Sequence, residues 1–538
     1  MVDKWEMSAS IVFYESKNMR PSRILLVSLV LLLAGCTKTI NPEDATGVVF
    51  HDRNRNGIRD RGERGIGSVR VSNGKDIVLT DSEGRYRLDI QADTNVFVIK
   101  PRDWMPPVNE MNLPQFFYIH RPNGSPEGLR YPGITPTPDP PDSIDFALYH
   151  RPEPERFDVV VFGDPQTSRR EEINYLAHDA VEEVSGIKAA FGISLGDIVS
   201  DNIGDFEKVN EAIALIGLPW YNLPGNHDMN YYAQTDEYSL ETYNRIYGPP
   251  YYSFDYGGVH FVVLDSIVAY KGERERLMYH EDLDSKQLDF IRNDLALLDK
   301  HQLVVLLMHG PINRFKEVIR VELFEMLEKH PYTLSVAGHE HTTKHTFFDD
   351  DFDWHGNRPH HLYNSGAVSG AWWMGVPDET GIPHSMMTNG VPNGYSVISF
   401  NGHDYKIRFK AFRRPADYQM NIWAPEEVLA QHASGTKVLV NVFAGSERST
   451  VEMRLDENDK WIPMQRISRK DPYFEEMIDW ENEHNIQRVG WSAALNSDHI
   501  WRANLPENIS KGAYLIRIRS KDMFGEVHTG RRLIRIKK

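Results

Sequence analysis

Six strand-length apolar runs in the middle of this chain set what it can fold into: Phe157–Phe162, Ile187–Leu195, Trp220–Leu223, Val259–Leu264, Leu303–Leu307 and Thr333–Val336. Between them lie segments with apolar residues at helical spacing, Glu171–Val184, Phe206–Ile216, Ser285–Leu298 and Arg320–Lys329. Strands apolar on both faces must be covered on both faces, and helices alternating with them do the covering. The centre of the chain therefore reads as a layered α/β domain, which Tyr395–Phe412 closes with two further strands. At 538 residues, 41% apolar and 25% charged, the chain is ordinary globular protein with room for three to four domains.

Five polar motifs begin where these apolar runs stop. They are Gly163-Asp164-Pro165-Gln166, Gly196-Asp197-Ile198-Val199-Ser200-Asp201, Gly225-Asn226-His227-Asp228, Met308-His309-Gly310 and Gly338-His339-Glu340-His341. In an open α/β sheet, ligand-binding side chains converge at the ends of strands. Two carboxylates, an amide oxygen and three imidazoles make a donor set for a pair of divalent cations. The single Cys of the chain, Cys36, excludes a multi-cysteine site. A carboxylate such as Asp197 can bridge two metals about 3.5–4 Å apart, as two-metal phosphotransfer requires.

The order and wording of these blocks resemble the calcineurin-like metallophosphoesterase superfamily over residues 157–412. The resemblance implies a central α/β/β/α sandwich. It implies a centre of two divalent transition-metal ions (Mn, Fe or Zn), with Asp164 and His341 on one ion, Asn226, His309 and His339 on the other, and Asp197 bridging. A metal-bridging hydroxide would attack the phosphorus of a phosphoester, with His227 donating a proton and Asp228 orienting His227. Gln166 stands where most of the superfamily has His. Either its carbonyl still coordinates, or the first metal has one protein ligand fewer; a subset of the superfamily shares this Asp-Pro-Gln variant.

The flanks read as β structure. Residues 46–150 hold short β-rich runs (Gly47–Phe50, Ser68–Ser72, Asp76–Thr80, Arg85–Ile90, Asn95–Lys100) divided by turn signals, with no segment of helical period. Within them, Asp52, Asn54, Asn56, Asp60 and Glu63 surround Gly57 at the spacing of a calcium loop, suited to calcium in a structural role. The stretch Thr46–Leu88 resembles the SdrD B-like and carboxypeptidase-regulatory-like sandwiches. Nine prolines between Pro122 and Pro154 read as an extended connection. Residues 415–538 turn β-rich again (Lys437–Phe443, Thr450–Leu455, Tyr514–Arg519, Arg531–Ile536), a second sandwich. The expected fold is thus multidomain, the α/β core flanked by all-β sandwich-like domains.

At the N-terminus, Arg20 and Arg23 precede an apolar run, Ile24–Ala34, too short to span a bilayer as a mature helix. The following Leu33-Ala34-Gly35-Cys36 resembles a bacterial lipobox, which implies removal of residues 1–35, lipidation of Cys36 and anchoring in the cell envelope, with the outer membrane favoured by Thr37. Asp3, Glu6 and Glu15 suit a signal poorly and point to Met19 as the start of translation. A net charge of −17 argues against nucleic acid as partner and favours a small phosphorylated substrate; membrane contact is expected through the lipid anchor alone. Nothing in the sequence sets the oligomeric state.

Several features admit two readings. Gly192-Ile193-Ser194-Leu195-Gly196 matches a nucleophile elbow but lies within a strand. The segment His345–Val391, rich in His and Trp, is placed to form a lid or an aromatic plug; Trp372 and Trp373 in it could stack on substrate. Tyr231, Tyr232, Tyr251 and Tyr252 bracket a second insertion, and Arg314 is a candidate phosphate contact or a solvated helix residue. From another class, the chain reads as a calcium-dependent surface-binding lipoprotein with an inactive phosphoesterase-like domain.

Overall fold

Alternate residues of the strand Arg156–Phe162 face different cores: Val159 and Val161 pack inward between two sheets, whereas Val160 and Phe162 pack outward under helices. That period of two places this strand in a layered arrangement covered on both sides. The account rests on a computed structural model, which describes residues 43–272, 275–456, 460–486, 488 and 492–538. The leader segment and Cys36 lie outside the described residues. Among the latter, no helix is long and apolar enough to cross a membrane. Among the described residues the fold is mixed α/β with seven sheets.

The strand Arg156–Phe162 is central in a five-stranded sheet ordered Trp220–Leu223, Phe191–Leu195, Arg156–Phe162, Gly394–Asn401, Asp404–Ala411. Its first three strands are parallel and the last two antiparallel, so Tyr395–Phe412 closes the sheet as a hairpin. A six-stranded sheet runs Tyr252–Tyr256, Val259–Val263, Leu303–Met308, Thr333–Ala337, His360–Ser365, Thr343–Phe348, with its middle four strands parallel. Val159, Ile193, Leu223, Phe261, Val336 and Ile398 share one core between the sheets. Helices Arg170–Leu176 and Phe206–Ala214 cover the outer face of the first sheet through Ile173, Leu176, Phe206 and Val209. Helices Ser285–Leu295 and Glu317–Leu327 contribute Leu288, Ile291, Leu323 and Phe324 to the core of the second. The three parallel strands of the first sheet, and Leu303–Met308 and Thr333–Ala337 of the second, end on the motifs read from the sequence.

Two expectations change here. The segment His345–Val391 is not one uninterrupted connection: it supplies the strand His360–Ser365 and most of Thr343–Phe348 before a long loop follows. His360 and Trp354 are buried core residues, and burial pushes His360 down to about 3, so it is a neutral ring bonded to Thr333 and Ser335. The stretch expected as one helix, Glu171–Val184, contains a π-turn at Ala177–Val181 that carries Asp179 into the interior beside Asn393 and Arg413.

Before the central sheets, two four-stranded sheets share the residues expected to be β. Arg85–Ile90 alternates exposed and buried positions, sending Tyr86, Leu88 and Ile90 inward. The Pro-rich segment does not simply lead out of this region. It returns through Phe146–His150, which pairs in parallel with Glu43–His51. On the way it packs on the central sheets, with Arg121 on Glu241 and Tyr131 on Asn202. Past the closing hairpin, sheets of four and five strands enclose Val438, Val440, Trp501, Ile516 and Ile534. A helix, Pro472–Glu483, interrupts this β region, which the sequence reading lacked. Asp471 caps it, accepting from Phe474 N, and Pro472 starts it.

Candidate metal centre

Left-handed backbone marks the ends of the parallel strands. Asp164, Gln166, Asp197, His339 and His341 all have φ between 43° and 70°, as do Trp372 and Trp373 at 57° and 52°. Each such residue costs on the order of 1–3 kcal/mol and persists where its surroundings hold it. Two glycines make the turns close enough. A Cβ on Gly225 would fall 2.2 Å from Asp197 Oδ1, and Gly196, itself at φ 75°, brings its Cα against Gly225 and His309. The Gly-Asp and Gly-Asn-His-Asp motifs are therefore packed on each other, backbone to side chain.

The side chains so placed converge on one point. His309 Nε2 lies 3.1 Å from Asn226 Oδ1, 3.3 Å from Asp197 Oδ1 and 3.0 Å from His339 Nδ1. On the other side of Asp197, Asp164 Oδ1 is 3.7 Å from His341 Nε2 and 3.9 Å from His309 Nδ1. Each histidine has its outer nitrogen tied off by an acceptor: His309 Nδ1 donates to Leu195 O at 2.8 Å, His341 Nδ1 to Gly370 O at 2.5 Å and His339 Nε2 to Glu281 at 2.9 Å. That arrangement fixes the tautomers and leaves the inner nitrogens as lone-pair donors. Two such nitrogens facing each other at 3.0 Å, beside a carboxylate and an amide oxygen, repel unless a cation lies among them. Asp197, His309 and His339 form a candidate metal-holding group by the same geometry.

The electrostatics agree. Burial and the neighbouring Asp197 push the Asp164 carboxyl well above the usual range. Burial acts on Asp197 the same way, but His309 and His227 outweigh it and hold that carboxylate down. Gln166 is buried; its amide donates to Asp197 Oδ2 at 3.1 Å, and its carbonyl oxygen has no hydrogen-bond partner. A buried, unpartnered oxygen is the atom a cation would complete. The residues present thus fit divalent metal ions.

His227 stands beside this group as an outer residue, its backbone N–H on Asp197 Oδ1 at 2.8 Å. Its Nδ1 meets Asp201 Oδ1 at 2.6 Å. Burial lowers its affinity for a proton, but Asp197 and Asp201 more than reverse that and push it up to about 9. Asp228, expected to orient His227, is fully buried and gives its carboxylate to the backbone N–H groups of Gly225, Ile198 and Val199. It shapes the turns; Asp201 is the acid that bonds the ring.

The remaining sequence candidates divide. Trp372 stacks on His341 with ring centres 4.2 Å apart. Trp373 is 3% exposed and donates its indole N–H to Pro165 O at 2.9 Å, so it braces the Asp-Pro-Gln turn as a buried side chain. Arg314 reaches Glu340 at 3.0 Å on the rim of the Gly-His-Glu-His turn. Ser194 is buried in mid-strand and accepts from the indole of Trp220, which removes it as a nucleophile. Far along the chain, Asp52 is buried and takes N–H bonds from Arg55, Asn56 and Gly57, while Asn54 and Asn56 bond Asp60, and Glu63 accepts from Arg53 and Asp60. The five residues of the calcium-type loop are thus drawn into one turn.

Sequence reading missed the hairpin Ile267–Lys271 with Leu277–Glu281, which sets Glu281 on His339 and Tyr279 edge-on to the same ring. His339 holds Glu281 down to about 2. No motif announces these residues.

Comparison with known proteins agrees with the strand-end motifs. Residues 157–343 match the family model for calcineurin-like phosphoesterase, residues 53–131 the one for its N terminal and residues 362–528 the one for its C terminal. Purple acid phosphatase 21 of Arabidopsis thaliana is 29% identical over 143 residues, 23% of this chain and 30% of that protein. Purple acid phosphatase 22 of the same plant is 30% identical over 105 residues, 17% of this chain and 22% of that protein. This chain spans less than a third of the length of either relative. The structure of purple acid phosphatase PPD1 from yellow lupin aligns with 65% of this chain and 69% of that one, at 12% identity and a TM-score of 0.33. On its three matched segments, this chain belongs to the calcineurin-like phosphoesterase superfamily.

Proposed function

We propose that the chain hydrolyses phosphoesters at a centre of two divalent transition-metal ions (Mn, Fe or Zn). The observation that carries this reading is the convergence of His309 Nε2, His339 Nδ1, Asn226 Oδ1 and Asp197 Oδ1 with every outer imidazole nitrogen already bonded. Asp164, His341 and the Gln166 carbonyl would hold one ion, Asn226, His309 and His339 the other, and Asp197 both. Ions bound there supply Lewis acidity, polarising phosphoryl oxygens and acidifying an attacking water.

This chain's residues supply the rest. His227, kept protonated near neutral pH by Asp197 and Asp201, hands a proton to the leaving oxygen through Nε2. Asp201 fixes the ring and balances its charge. Trp372, stacked on His341, covers one face of that ring. In the same reading the loop of Asp52, Asn54, Asn56, Asp60 and Glu63 takes a structural calcium, Cys36 carries a lipid anchor at the cell envelope, and the substrate is small rather than a nucleic acid.

Turnover of a chromogenic phosphoester with Mn, Zn or Fe, and with chelator, tests it. Metal-dependent turnover that falls by orders of magnitude in Asn226→Ala supports the reading. A folded protein without turnover under any of these metals refutes it and favours a binding role.

A further inference from the structure

Three segments distant in sequence meet beside His227. The Pro-rich segment brings Arg130 and Tyr131, the loop after Asp228 brings Tyr231 and Tyr232, and the hairpin missed by the sequence brings Arg276. With Asp201 they line a cleft of about 110 Å³. Leu277 N donates to Tyr231 O at 2.7 Å, hooking the hairpin onto the loop. Tyr131 OH reaches Asn202 Oδ1 at 3.1 Å, which fixes the opposite wall.

Both guanidinium groups lie over tyrosine rings. Arg276 sits 4.1 Å from the centre of Tyr231, and Arg130 sits 5.2 Å from that of Tyr131. A guanidinium laid on a ring keeps its in-plane N–H groups for a partner, and a planar fork of donors matches an oxyanion. One such donor is already used: Arg276 pairs with Asp201 Oδ2 at 3.3 Å. Two cations against one carboxylate leave the cleft with a positive balance, on a chain whose net charge is −17. Its size admits one carboxylate or phosphate group. Asp201 lies between this cleft and His227, with one oxygen on Arg276 and the other on His227 Nδ1. Tyr231 in the cleft wall also reaches Asn226, so the cleft adjoins both the candidate metal ligands and, through Asp201, the Nδ1 side of His227.

We propose that this cleft is a subsite for a second anionic group, so that preferred substrates are phosphoesters whose leaving group carries a carboxylate or another phosphate. The inference rests on the phosphoesterase reading above. It also gives the Pro-rich segment a task beyond connection, since that segment supplies half of the charge.

The test compares kcat/KM for phenyl phosphate and 4-carboxyphenyl phosphate in the metal-loaded full chain, in wild type, Arg130→Gln and Arg276→Gln. A loss common to both esters, as from disturbing Asp201 in Arg276→Gln, cancels in the ratio. Wild type should prefer the carboxylated ester, and each variant should lower that preference about tenfold, the effect of one charge-assisted hydrogen bond. Turnover of both esters with no preference in wild type, or a preference unchanged in both variants, overturns the subsite and leaves the phosphoesterase reading standing. No turnover of either ester overturns both.

Discussion

His227 and Asp201 meet at 2.6 Å through Nδ1 and Oδ1, which leaves Nε2 as the ring nitrogen for a ligand beside the candidate metal centre. A proton donor held in this way should matter most when the leaving group is a poor one. Asp201→Asn is expected to lower kcat about 10²-fold on an alkyl phosphate, within the usual range for a positioned acid, and much less on 4-nitrophenyl phosphate. Equal losses on both esters would remove Asp201 from proton transfer. Asp228→Asn acts differently, since its carboxylate holds three backbone N–H groups, and should show as lost stability.

Glu281 fixes His339 from outside the cluster at 2.9 Å. Outer partners of metal-binding histidines typically contribute about 10–100-fold in metal affinity. Glu281→Gln should raise the free-metal concentration needed for half-maximal activity by that factor, while kcat at saturating metal changes less. A variant with wild-type metal affinity would show that the contact is incidental.

Neighbouring tryptophans with the same left-handed backbone should behave in opposite ways. Trp373, buried and bonded to Pro165, is expected to cost about 3–5 kcal/mol as Trp373→Ala, read by denaturant unfolding. Trp372 is half-buried against His341, and Trp372→Ala should spare much more of the stability and alter KM. A reversed ranking in stability would contradict the placement of both rings.

Arg70, Asp255, His260 and Asp294 tie the N-terminal sheets to the second central sheet: Arg70 bonds Asp255 at 2.6 Å and Asp294 at 2.8 Å, and His260 bonds the same two acids. Burial lowers His260, but Asp294 and Asp255 outweigh it and raise the ring above its ordinary value. Burial raises both carboxyls, but Arg70 and His260 bring them below theirs. A raised His stabilises fully below its unfolded pKa of about 6.5 and loses this as pH climbs through the folded value; the lowered acids stabilise above about 3.9 and lose this as pH falls. The network should therefore contribute most between about pH 4 and 6.5. Thermal melts from pH 5 to 9 should fall with pH more steeply in wild type than in His260→Gln. Parallel curves would show that His260 does not titrate with folding.

What the sequence disclosed follows from what is local in it. Asp164, Asn226 and His339 stand out because a strand end, a glycine and a candidate ligand fall within four residues, and at Asp164 and His339 the same turns carry positive φ. Contacts set by distant segments were not legible. Asp228 follows His227 directly whereas Asp201 lies 26 residues before it in another motif, and only the fold shows which carboxylate reaches the ring. Glu281, Arg276 and Arg130 become neighbours of the site through a hairpin and a Pro-rich excursion whose direction no local pattern encodes. Trp373 admitted two readings, stacking on substrate or packing as an aromatic plug, and burial against Pro165 is what only the fold shows. The helix Pro472–Glu483 was open to reading from Asp471 and Pro472, but β patterning on both sides obscured it.

The most direct test of the metal-dependent account is elemental analysis of the purified protein, paired with turnover of 4-nitrophenyl phosphate, for wild type and Asp197→Asn. Asp197 is the one residue proposed to hold both ions. The account predicts about two transition-metal ions per chain in wild type, activity lost to chelation and restored by metal, and loss of both metal and turnover in a folded Asp197→Asn. Wild-type protein that holds no stoichiometric transition metal, or an Asp197→Asn variant as active as wild type, would contradict it.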